Sequence, residues 1–264
     1  QMCIRDRLLP LTGALLIGLT LGLLGSGGAI LTVPVLHFGL GWHEKQAVAG
    51  SLVVVGAVSL VALVPRAWRG QVRWSRALAF GGPGLLGTLL GASLSRFVPG
   101  RLQMGLFGLV VATAAVFMLR GAAARSAAGP ARIRSPLRVG LDGLGVGLLT
   151  GLVGVGGGFL IVPALVLLGG LDLPVAMGTS LAIIAANSAA GLSRHLGVLA
   201  GLGLEIDWKT LGWFVALGSL GSLLGARWAQ RLPAPILQRG FAGLLACLGL
   251  FILGEQLWSC LAGG

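Results

Sequence analysis

Eight long apolar runs with almost no charge dominate this chain. They lie near Leu8–Leu40, Ala47–Val64, Ala77–Leu94, Leu102–Leu119, Val139–Leu168, Val175–Ser193, Leu211–Ala226 and Ile236–Leu257. Each can cross a hydrocarbon core of roughly 30 Å. Of the 264 residues 56% are hydrophobic and 10% charged, whereas soluble domains are about a quarter charged. The expectation is an all-α integral membrane protein of about eight transmembrane helices, with the lipid bilayer as its first partner. Arg194–Lys209, "RHLGVLAGLGLEIDWK", is mildly apolar and reads as interfacial.

The formal charge of +12 invites a nucleic-acid reading, but the cations sit in the connections between runs and form no basic face. No nucleic-acid partner is expected. Even-numbered connections carry eleven Lys and Arg (Arg66, Arg69, Arg73, Arg76, Arg120, Arg125, Arg132, Arg134, Arg138, Arg194 and Lys209). Odd ones carry six: Lys45, Arg96, Arg101, Arg227, Arg231 and Arg239. By the positive-inside rule the even connections and both termini are expected in the cytoplasm of a cell with a bacterial inner membrane. All seven tryptophans (42, 68, 74, 208, 213, 228, 258) fall near run ends, where an indole marks the membrane interface. The three cysteines show no metal spacing. "MCIRDR", Met2–Arg7, can be back-translated into a transposase adapter used in sequencing libraries. Residues 1–7 are therefore expected to be an artefact fronting a truncated fragment, and Arg5 and Arg7 are left out of the charge count.

An internal repeat organises the rest. A shift of 129 lays "GLLGSGGAILTVP", Gly22–Pro34, on "GLVGVGGGFLIVP", Gly151–Pro163, and "AGSL", Ala49–Leu52, on "GTSL", Gly178–Leu181. After five inserted residues the shift becomes 134, and Trp74 meets Trp208, "GTLLGA" meets "GSLLGA", and Pro99 meets Pro233. Two four-segment repeats are expected, at 8–120 and 139–264, joined by a basic cytoplasmic linker at 121–138. Four crossings per unit would make the repeats parallel, whereas a re-entrant first segment would make them inverted. Oligomeric state leaves no mark in the sequence, and a homo-oligomer is compatible with it.

The first run of each unit is too long. Leu8–Leu40 is 33 residues, about 50 Å as one helix, which a core of roughly 30 Å cannot hold straight. Its glycine cluster (Gly25, Gly27, Gly28) and the matching one (Gly154, Gly156, Gly157, Gly158), each followed by a proline (Pro34, Pro163), are expected to break the helix. Broken helices at membrane depth persist where they line a cavity or bind a substrate, and a half-helix N-terminus favours an anion. Glycines at three- and four-residue spacing also serve close helix packing; that is the reading for Gly87, Gly91, Gly221 and Gly225.

"GSGGAILTVP" and "GVGGGFLIVP", followed by "AGSL" and "GTSL", resemble the paired signatures of the sulfite exporter TauE/SafE family, also called 4-toluene sulfonate uptake permeases. The resemblance runs from about Leu15 to Leu257. It implies a transporter of small sulfur-containing anions such as sulfite or sulfonates. The first copy departs from the second at Ala29, where Gly158 stands, and at Gly50, where Thr179 stands, so a site built from both halves is asymmetric.

With no Lys or Arg deep in any run, a bound anion is expected to rely on backbone N–H groups and the hydroxyls of Ser26, Ser51, Thr179 and Ser180. Asn187 is open to two readings, substrate ligand or interhelical tie. Asp142 pairs with Arg138 or relays protons. His37 and His195 read as interfacial, and His43, Glu44 and Lys45 as a polar turn. No constellation of nucleophile, base or metal ligands appears at one depth, so neither an enzyme nor a cofactor or metal is expected. The alternatives are a carrier of another small anion such as a carboxylate, and a channel or scaffold subunit.

Overall fold

In a computed structural model of the chain, the described residues are 4–99, 102, 105–106, 108–116, 136–153 and 158–262. All their regular secondary structure is helical. The α-helices are α1 (Ile4–Leu24), α2 (Gly27–Pro34), α3 (Glu44–Trp68), α4 (Trp74–Leu94), α5 (Pro136–Val153), α6 (Gly158–Leu167), α7 (Leu173–Leu202), α8 (Trp208–Ala229) and α9 (Ala234–Ala262). Residues 108–116 form a further helical stretch between α4 and α5. Helices α3, α4, α7 and the Pro235–Gly254 part of α9 are each long and apolar enough to cross a membrane. Thr12–Leu24 is a shorter apolar helix.

Helix boundaries depart from the hydropathy runs at two ends. α3 continues past Val64 to Trp68 and carries Pro65 and Arg66 within its last turn. α7 does not stop at Ser193: it takes in "RHLGVLAGL" and ends at Gly203, whose φ of 65° gives the left-handed C-cap. Only residues 203–207 of the stretch expected at the interface are non-helical. Glycine is suited to that cap because other residues lose free energy at positive φ.

The first long run folds back on itself. α1 ends at Leu24, Gly25 adopts φ 74°, and α2 begins at Gly27. A Cβ on Gly28 would strike the Ile17 carbonyl and Leu21, and one on Gly13 would meet Val35. Residues rising in number along α2 therefore meet residues falling in number along α1. The two helices form an antiparallel hairpin with Gly25 and Ser26 at its tip. Pro34, which lacks an N–H, ends α2, and the chain continues as a π-helical turn at Val35–Gly39. Gly154, Gly156 and Gly157, between α5 and α6, lie outside the described residues.

Helices pack across the two sequence repeats, α1 against α8 and α5 against α4. Gly18 faces Gly218 and Gly22 faces Ser222; a Cβ on either glycine would fall on its partner's backbone. The shifts of 129 and 134 turn these pairs into Gly147 with Gly84 and Gly151 with Thr88, and both occur. In each seam the numbering rises together, so the helices are parallel, and small residues let the backbones touch. The opposite side of α4 carries Leu78, Leu86 and Leu90, all more than half exposed, as a lipid-facing stripe should be. Trp68, Trp74, Trp208, Trp213 and Trp228 are exposed near helix ends.

α3 and α7, which the shift of 129 superimposes, run antiparallel. Gln46 donates to the Glu205 carbonyl at 2.6 Å, Gly56 faces Ser188, Gly191 faces Leu52, and Gly178 faces the Gln71 carbonyl. α3 is parallel to α8, with Val58 at Gly218 and Leu211 near Gly50. One end of the bundle thus collects the ends of α1, α3 and α8 and the starts of α4, α5 and α7. The other collects the start of α3 and the end of α7.

Candidate functional site

Buried hydroxyls in this fold mostly turn back on their own helix. Thr32, Thr88, Thr150 and Ser222 donate to carbonyls three or four residues earlier at 2.8–3.0 Å. In a medium without water that is the local way to satisfy an O–H. Ser26 is different. It is fully buried and is the N-cap residue of α2, yet its side chain caps nothing. Its hydroxyl has no hydrogen-bond partner among the described residues. Ser59 in α3 and Ser188 in α7 are likewise unpartnered among the described residues, and Ser26 differs from them in standing at a helix N-terminus.

The tip is held by α7. A Cβ on Gly25 would come within 2.6 Å of the Met177 Cβ and 2.8 Å of its Cα. The Ser180 hydroxyl donates to the Met177 carbonyl at 2.8 Å and reaches the Gly25 carbonyl at 3.3 Å. Thr179 accepts from the Arg73 N–H at 3.0 Å, tying the α3–α4 connection to the same stretch. Both residues are fully buried. The structure therefore gathers Gly25, Ser26, Gly27, Gly28 and Ser180 around one tip, while Thr179, the next residue back along α7, is engaged by the α3–α4 connection.

Other expected site residues lie elsewhere. Pro34 is at the far end of α2. Ser51, buried in α3, donates to the Val48 carbonyl at 2.7 Å, the counterpart under the 129 shift of Ser180 on Met177. Its neighbour Gly50 packs against Trp42 and Leu36. Gly158 opens α6 and Pro163 lies inside it. Asn187 is 2% exposed, partway along α7, with its Oδ1 unpartnered.

Two basic residues correct the sequence reading. Arg66, counted as a loop cation, is 4% exposed and donates from Nη2 to the Gly22 carbonyl at 2.5 Å. Its Nε has no partner among the described residues. His195, expected at the interface, is also 4% exposed, and its Nδ1 is likewise unpartnered. The shift of 129 lays one on the other. Both were missed because their helices outrun the apolar runs; that coincidence was the available signal.

Among the described residues no group of three or more His, Cys, Asp or Glu comes together to hold a metal ion. The arrangement can do something simpler. The first turn of α2 presents N–H groups without intrahelical acceptors, beside a hydroxyl that has no partner among the described residues, inside protein.

The sequence profile described as Sulfite exporter TauE/SafE matches residues 11–252. The chain belongs to this family. A TauE/SafE assignment agrees with the relatives. A "Probable membrane transporter protein" of Xylella fastidiosa (strain 9a5c) is 31% identical over 271 residues, covering 98% of this chain and 99% of that protein. A protein of the same description from Methanocaldococcus jannaschii is 27% identical over 262 residues, covering 93% and 96%. One from Bacillus subtilis is 24% identical over 245 residues, covering 90% and 96%. No solved structure matches. This TauE/SafE member is thus a multi-pass membrane transporter rather than an enzyme by family and by the names of its relatives.

Proposed function

We propose that the protein is a secondary carrier of small anions, sulfite or organosulfonate-type sulfur anions in particular, which bind at the broken-helix tip. The buried, unpartnered Ser26 hydroxyl at the N-terminus of α2 is the observation that carries this reading. Leaving a polar group unsatisfied in a dry interior costs free energy, and an anion there would satisfy the hydroxyl and the free N–H groups together. Ser180 shapes the opposite wall, with Thr179 anchoring that stretch to the α3–α4 connection. Neutral donors hold an oxyanion without the grip of a direct ion pair, which suits a carrier that must release its cargo. The family description supports sulfite as the substrate class.

The helix directions support two units of inverted topology, 8–120 and 139–264, joined by the linker 121–138. Antiparallel α3 and α7 are what a pseudo-two-fold axis in the membrane plane would require. Ser51 and the cluster Gly154, Gly156, Gly157 and Gly158, with Pro163, would build the matching tip from the other end, and Asn187 would lie between the two. The hairpin also revises the orientation expected from hydropathy. Because the first run turns back, Arg227, Arg231 and Arg239 join Arg66, Arg69, Arg73, Arg76 and Arg138 at one end, eight cations among the described residues. The other end keeps four, Lys45, Arg96, Arg194 and Lys209. By the positive-inside rule the eight would lie in the cytoplasm of a bacterial inner membrane and both termini on the outer side.

Replacing Ser26 by Ala tests the site. A hydrogen bond to a charged ligand contributes about 1.5–3 kcal/mol, so sulfite affinity should fall roughly 10- to 150-fold, with folding stability unchanged or raised. Unchanged sulfite affinity in the folded variant would remove the tip as the binding site.

A further inference from the structure

A cavity of about 220 Å³ opens at the basic end of the bundle, where α3 and α8 finish and α7 and α9 begin. Its wall includes Arg66, Gln71, Met177 and Gln230, and no carboxylate among the described residues. Arg66 is 4% exposed and keeps its charge at any physiological pH. One of its donors is spent on the Gly22 carbonyl, one of those left over where α1 ends. That cap accounts for Nη2 and leaves the buried Nε without a partner. A buried cation facing no carboxylate is costly unless something supplies negative charge. Met177, on the same wall, is the residue against which Gly25 packs. The cavity and the hairpin tip therefore share a partition one side chain thick.

We propose that this cavity is an anion subsite in which the charge of Arg66 holds a small oxyanion, on the path between the basic face and the tip. The inference rests on the anion-carrier reading and extends it to a second position. Gln71 and Gln230 supply neutral polar groups to the same lining, and a guanidinium is a cation suited to oxyanions. At the other end of the bundle the matching position holds His195 in place of an arginine.

The test uses the full chain with Cys3, Cys247 and Cys260 replaced by Ser and Gln230→Cys as reporter. Its rates with an anionic and a cationic methanethiosulfonate reagent are compared, with and without sulfite. With Arg66 in place, the anionic reagent should react at least 10-fold faster relative to the cationic one than in Arg66→Gln, and Arg66→Lys should keep most of that preference. Sulfite should slow modification several-fold in the Arg66 protein, a result that needs no variant at Arg66 and so survives misfolding of Arg66→Gln. If the reporter protein binds sulfite yet shows neither protection nor charge preference, the subsite is overturned while the carrier reading stands. If it binds no sulfite, sulfonate or sulfate at all, both fall.

Discussion

Substituting Gly25 by Ala should be among the most damaging small changes in the protein, through two separable costs. At φ 74° a side chain pays the left-handed penalty, about 1–2 kcal/mol. The new Cβ would also sit 2.6 Å from the Met177 Cβ and 2.8 Å from its Cα. A backbone atom cannot swing aside, so overpacking adds about 1–3 kcal/mol, for a total of about 2–5 kcal/mol. Two other glycines separate the terms. Gly203 has φ 65° with nothing within 4 Å of its Cβ direction, so Gly203→Ala should cost the strain alone. Gly212, inside α8 with the same open space, should gain up to about 1 kcal/mol on becoming Ala, from helix propensity. Equilibrium unfolding of the three variants in mixed micelles, titrated with SDS, gives the order. If Gly25→Ala lost no more than Gly203→Ala, the packing of the tip against α7 would be refuted.

Asp207 caps α8, accepting from the N–H groups of Lys209 at 3.1 Å and Thr210 at 3.2 Å and from the Thr210 hydroxyl. The Thr210 hydroxyl first, then the Thr210 N–H, hold its carboxyl below the ordinary value of 3.8. A carboxyl depressed on folding stabilises above its unfolded pKa and loses that contribution as pH falls through the folded one. Wild type should therefore melt higher than Asp207→Ala at pH 7, and the gap should close only below about 3.9; a gap independent of pH would contradict the cap's ionic character. For orientation, an alkaline phosphatase fused after Gly264 should be active and a green fluorescent protein dark, as expected of a C-terminus on the outer side; the opposite pattern would refute the inverted arrangement of charged ends.

The sequence made much of the fold legible through its repeat. Gly87, Gly91, Gly221 and Gly225 could be marked as packing residues because close helix approach demands small side chains at fixed spacing, and each lies in a parallel seam. The excess length of Leu8–Leu40 likewise signalled a break. Hydropathy could not show what happened next, since a run that bends and one that doubles back have the same composition. Direction entered only with the contacts of Gly28 on Ile17 and of Gly13 on Val35. Arg66 and His195 were assigned to connections for a related reason: a charge ends an apolar run in a hydropathy window, yet a helix continues as long as its backbone bonds do. The pairing of Gly25 with Met177 depends on tertiary packing between repeats, which no local pattern encodes.

Uptake of radiolabelled sulfite by proteoliposomes containing the chain without residues 1–7 puts the anion-carrier reading at greatest risk. The account predicts saturable flux that taurine-derived sulfonates inhibit, acetate does not, and Ser26→Ala depresses. Absence of flux for sulfite, sulfonates and sulfate, in protein shown to be folded, would contradict it.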